Sequence, residues 1–211
     1  MSRRPLAAAL GLTVLAFVTS PVEAQSKFEF TPFAGGYFPT KPLIADTSGG
    51  ATIFETTSGP VVGGRVTYWV SPRVGLEGSF GVASSKTHIF ASTTEFDFKS
   101  TTYLADARVV FQVNNPSSPT GLHLSGGAAL TKASNAFFSL ADEVDQLTYD
   151  PSIGFVVGVG VSRRIGSGVR LRIDLEDRIY TAKFDIPAGG ADLDDETQHD
   201  VVFSTGLAFA F

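Results

Sequence analysis

From about Lys27 to the end of the chain, apolar and polar residues alternate at every second position in eight separate stretches, and none holds a period of 3.6. Successive side chains of a strand point to opposite faces, so each stretch predicts a β-strand with one apolar face. The seventh is clearest. Val169, Leu171, Ile173, Leu175 and Ile179 share one face, and Arg170, Arg172, Asp174, Glu176, Arg178 and Tyr180 share the other. The same rule marks strands near Val62–Val70, Val74–Ala83, Tyr103–Gln112, Leu122–Thr131, Ile153–Ser162 and Val201–Phe211. The first, about Lys27 to Phe38, sets Phe28 and Phe30 on the apolar face, with Pro32 as an expected edge or bulge because proline donates no ladder hydrogen bond.

The connections alternate in length. Ser71–Arg73, Asn114–Thr120 and Ile165–Gly168 are short, whereas Pro39–Pro60, Ser84–Ser100, Lys132–Pro151 and Ala182–Gln198 are long. Eight antiparallel strands with short turns at one end and long loops at the other predict an all-β, up-and-down transmembrane β-barrel, its termini at the short-turn end. A water-soluble barrel or sandwich shows the same alternation with the apolar face turned inward. Charge separates the two. Glu29, Arg65, Glu77, Asp106, Arg108, Arg170, Arg172, Asp174, Glu176 and Arg178 all fall on the polar face, five of each sign. An eight-stranded barrel is just wide enough for side chains to fill, and charges enclosed there must pair. A solvated outer face needs no such balance. The two charges on the apolar face are Arg163, beside the Gly166 turn, and Asp177, near a strand end, where the cost in a membrane is small.

Ahead of the strands, Met1-Ser2-Arg3-Arg4, an apolar run from Leu6 to Val18 and Pro21-Val22-Glu23-Ala24 have the form of a signal peptide. Cleavage between Ala24 and Gln25 is expected, giving a leader over 1–24 and a barrel domain over 25–211. Of the 211 residues none is Cys, so an exported chain must be held by packing or by a membrane rather than by disulfides. The net charge of −5 becomes one unit more negative without Arg3, Arg4 and Glu23. No basic stripe interrupts it, which argues against a nucleic-acid partner.

The last strand carries the most specific motif. Ser204, Gly206, Phe209 and the terminal Phe211 are spaced as polar, glycine, apolar and aromatic. This resembles the C-terminal assembly signal of outer-membrane proteins, which implies recognition by the barrel-assembly machinery during biogenesis. The layout from Phe28 to Phe211 resembles small eight-stranded barrels of the outer membrane protein A superfamily, and Phe28–Phe38 is similar to the first strand of its members. The resemblance implies residence in the bacterial outer membrane, contact with lipid and lipopolysaccharide, a monomeric state and a charge-paired, mostly closed lumen.

Other constellations point less far. His123-Leu124-Ser125 with Glu143 has the residue types of a lipid-modifying hydrolase, but Gly126 follows where such enzymes carry Asn, and a barrel's height is expected between His123 and Glu143. The expectation is that His123 and Ser125 fill the lumen. Asp192, Asp194, Asp195 and Glu196, with Asp142, Glu143, Asp145 and Asp150, make two loops acidic without calcium-loop spacing. Phe54, Phe90, Phe96, Phe137 and Phe138 decorate the long loops. No metal or cofactor motif is present. The sequence thus predicts a structural or surface-interaction protein with no catalytic role and no cofactor. A narrow channel for small or hydrophobic solutes is the alternative, and a lipid-modifying enzyme a weaker one.

Overall fold

The computed structural model describes residues 27–41, 44–46, 52–91, 94–135, 148–149, 151–182, 184–185 and 196–211. Eight strands form the wall: β1 (Phe28–Pro39), β2 (Gly59–Trp69), β3 (Val74–Ala91), β4 (Thr94–Gln112), β5 (Thr120–Asn135), β6 (Ser152–Gly166), β7 (Val169–Ala182) and β8 (Glu196–Ala210). Each pairs antiparallel with its sequence neighbour. Strand β1 pairs with both β2 and β8, which closes the barrel. The register Glu29↔Ala210 places both ends of the wall at the short-turn end. There the β6–β7 connection is tightest, and Gly168 takes the left-handed φ of 73° that the turn requires.

Burial alternates with the sequence pattern and has the sign opposite to that of a water-soluble protein. Along β7, Leu171 and Leu175 are exposed while Arg172, Asp174, Glu176 and Arg178 are buried. Ile153 and Phe155 on β6 are 78% and 70% exposed, whereas Arg65 on β2 is 1% exposed. A continuous apolar outer wall with a charged interior is what a hydrocarbon solvent demands of a closed sheet. At the turn end of that wall, Phe28 lies 5.0 Å from Tyr68 and stacks on Phe211 at 6.3 Å between centroids, forming part of an aromatic girdle.

Two expectations are corrected. Pro32 makes neither an edge nor a bulge. Strand β1 is paired on both sides, and its ladder to β8 skips Thr31 and Pro32, then resumes at Phe33↔Gly206 in the same register. The missing proline N–H costs pairing at that point without displacing the strand. The second correction concerns Ser84–Ser100, which is ladder rather than loop. Pairing of β3 with β4 continues to Ala91↔Thr94, and Thr52–Thr56 adds beside Thr87–Ala91, with Ile44–Asp46 beyond it. Beyond the apolar wall neither face has to be apolar, so the alternation fades while Thr, Ile and Phe still favour extended backbone. Phe90 and Phe96 lie in this ladder and Phe54 in the added strand. The acidic positions 142, 143, 145, 150, 192, 194 and 195, and Phe137 and Phe138, lie outside the described residues, as do Ala24 and Gln25.

Candidate functional site: a charge-filled lumen

The inward positions stack in layers along the barrel axis. At the long-loop end, Tyr37, Val61, Ala83, Leu104 and Val202 form an apolar cluster that reaches down to Phe33. Two glycines make room for Phe33: a Cβ at Gly63 would sit 2.5 Å from its ring, and one at Gly81 3.3 Å from it. The Arg65 guanidinium lies 4.1 Å from the Phe33 ring centre, a cation–π contact that ends the apolar layer and begins the charged one.

In the charged layer, Arg65 donates to Glu176 Oε1 at 2.5 Å, to Asp174 Oδ2 at 3.3 Å and to Ser204 Oγ at 2.9 Å. Arg172 grips both oxygens of Glu77, at 2.5 and 3.2 Å, and donates through Nε to Asp174 at 2.9 Å. Thr67 completes the shell of Glu77 at 2.6 Å. Arg178 pairs with Asp106 and donates to the Ala105 carbonyl at 3.3 Å. Arg108 lies 3.1 Å from both Glu77 and Asp106 and 2.9 Å from Glu176. At Arg108 these are ion contacts whose angles fall outside hydrogen-bonding geometry, so it acts as a central charge rather than a directed donor. His123 Nε2 and Asp174 Oδ1 are 2.8 Å apart. Gly160 provides the space, since a Cβ there would lie 2.2 Å from that nitrogen and 2.4 Å from that oxygen.

Eight of the ten charges read from the sequence therefore join one network: Arg65, Glu77, Asp106, Arg108, Arg172, Asp174, Glu176 and Arg178. The other two, Glu29 and Arg170, lie nearer the turn end and line a cavity of about 470 Å³ there. Glu29 is buried and Arg170 half-buried. Asp200, 1% exposed, is a sixth inward acid that the sequence reading passed over. It accepts hydrogen bonds from the hydroxyls of Tyr37 at 2.7 Å and Tyr180 at 2.8 Å. On the outer wall Asp177 has a partner of its own, His199 Nδ1 at 3.0 Å.

The terminal motif divides between the two faces. Ser204 is buried as a partner of Arg65. Gly206 lies against β1, where a Cβ would come within 2.4 Å of the Pro32 carbonyl oxygen. Phe209 pairs with Phe30 and Val169 across the strands on either side, and Phe211 is exposed against Phe28.

A model of the outer membrane protein beta-barrel domain matches residues 7–210. The chain belongs to this family. As a member it is an outer-membrane protein whose apolar wall faces lipid. No curated protein matches the sequence. The barrel is similar to the crystal structure of the outer membrane protein OprG from Pseudomonas aeruginosa, with a TM-score of 0.63, 13% identity and 89% and 97% of the two chains covered. It is also similar to AlkL, whose structure was determined by solid-state NMR in lipid bilayers (TM-score 0.62, 12% identity, 92% and 94% covered). Outer membrane protein W of E. coli superposes with a TM-score of 0.55 at 17% identity, covering 89% and 100%. At these identities the likeness is one of fold.

Proposed function

We propose that this outer-membrane barrel is a closed, load-sharing element of the membrane whose outer end, rather than its lumen, meets other molecules. The observation that carries the reading is the Arg172–Glu77 pair. Its members stand on the seventh and third strands of eight, so the pair spans the lumen. Arg65 and Arg108 beside it and the Phe33–Tyr37–Leu104 cluster above support a lumen filled by side chains among the described residues.

On this reading the β3–β4 ladder that rises past the apolar wall is the contact element, meeting lipopolysaccharide or an external partner. The protein acts as a monomer, and the barrel-assembly machinery reads Ser204, Gly206, Phe209 and Phe211 during insertion. No catalysis is assigned. Asp174 takes up His123 Nε2 and also holds Arg65 and Arg172, which makes that imidazole nitrogen part of the charge network.

Conductance tests the closed lumen. Purified barrel in planar lipid bilayers is expected to give no discrete openings in 1 M KCl. Reproducible single-channel steps from the unaltered protein would defeat the proposal in favour of a narrow channel.

A further inference from the structure

The cavity at the turn end has a lining the charge network does not explain. Lys27, Arg164, Arg170 and Arg172 contribute to it against one acid, Glu29. Arg172 is committed to Glu77 and Asp174. Arg170 is not committed: its Nε and Nη2 are shielded from water and have no hydrogen-bond partner among the described residues. Guanidinium donors held at the wall of a cavity in this way are placed to donate to what fills it.

Other donors converge on the same place. A Cβ at Gly121 would lie 2.7 Å from Ser162 Oγ, 3.3 Å from Arg170 Nη2 and 3.6 Å from Gln112 Nε2, so the three groups gather over that glycine. Gln112 Nε2 is held only loosely, 3.5 Å from Asn114 Oδ1. A planar guanidinium fork with a hydroxyl and an amide beside it suits a tetrahedral oxyanion. From these observations we infer that the turn-end cavity is a phosphate-type anion site anchored by Arg170, with Ser162 and Gln112 as neutral donors and Lys27 and Arg164 at its rim. Glu29 opposes the anion and sets the affinity low enough for exchange. The anion is a free phosphate or the phosphodiester of a lipid headgroup from the leaflet at this end. The site stands whether or not the lumen conducts.

The probe is inorganic phosphate, titrated by calorimetry into barrel held in a phosphate-free maltoside detergent, with nitrogen-detected side-chain NMR following the guanidinium Nε–H of Arg170. Saturable binding with a shift at Arg170 is expected. R170Q should weaken it about tenfold or more, as loss of a charged hydrogen-bond donor implies. E29Q should tighten it several-fold, and R163Q on the outer wall should leave it unchanged. Retained heat-modifiable mobility shows that each variant is folded. In nanodiscs of phosphatidylethanolamine and phosphatidylglycerol, an Arg170 resonance already shifted and insensitive to added phosphate identifies the lipid headgroup as occupant. A resonance that still responds identifies free phosphate. No saturable binding in either medium, equal affinity in R170Q, or weaker binding in E29Q overturns the site.

Discussion

Arg172 and Glu77 are 95 residues apart in sequence and stand on opposite sides of the barrel, yet they meet in a two-pronged ion pair at 2.5 and 3.2 Å. Both are almost completely buried. Removing two charges from water costs nearly as much as their attraction returns, so the pair adds little net stability while strongly penalising any state in which one member is left alone. It acts as a cross-brace: the barrel cannot widen or shear without exposing one charge to the interior.

Replacing one partner should therefore cost far more than replacing both. R172M and E77M are each expected to destabilise the barrel by about 3–5 kcal/mol, and R172M/E77M to recover most of that loss. Urea unfolding in lipid vesicles, read by the Trp69 fluorescence change, measures it. Additive costs in the double variant would show that the pair is not the brace described.

Gly160 is a second sensitive point, for reasons of space. Valine favours strands, so propensity alone would allow the change. Its Cβ would fall within 2.2 Å of His123 Nε2 and 2.4 Å of Asp174 Oδ1. G160V is expected to cost about 2 kcal/mol by breaking that hydrogen bond and disturbing the hold of Asp174 on Arg65 and Arg172. H123A should relieve the clash, making G160V/H123A less damaging than the sum of the two. Strict additivity in the same unfolding assay would contradict this.

Strand number, closure and the inward set on β7 were legible because Leu171, Ile173 and Leu175 alternate with charges over a long run. Pairing was not. Whether Arg172 reaches Glu77 or Glu29 depends on how the sheet closes and staggers, which no local pattern encodes. Asp200 escaped notice because its outward neighbours Thr197 and His199 are polar, so the first part of β8 shows no alternation. Phe33 reads as a wall residue by type. It shares the parity of Glu29 and so points inward, where Gly63 and Gly81 leave room for its ring. The ladder through Ser84–Ser100 was hidden for the same reason as Asp200, since the rule that reveals strands holds only where one face is apolar.

The outer wall makes a prediction that depends on depth. Val159 on β6 pairs with Leu124 and Leu175 in the middle of the apolar band, whereas Ile165 stands next to the Gly166 turn. V159R should cost about 2–4 kcal/mol and I165R about 0–1 kcal/mol, because a long cation reaches water only from the rim. Equal costs in vesicle unfolding would mean that hydrocarbon does not contact this face.

The chain terminus allows recognition to be separated from stability. Phe211 is exposed and touches the wall through Phe28, so deleting it should lower the stability of barrel refolded into detergent or vesicles by no more than about 1 kcal/mol. If the assembly machinery reads Ser204, Gly206, Phe209 and Phe211, the same deletion should sharply reduce the amount inserted in cells. F209D, which stands beside Val169 at the turn-end rim, should cost little in vitro, as I165R does, and should fail in cells if the motif is read. Cell fractionation with a heat-modifiability gel, run beside in vitro refolding, distinguishes the two. Normal cellular insertion of the Phe211 deletion would leave the terminal aromatic as girdle alone. A loss of the same size in vitro would make it a packing residue rather than a signal.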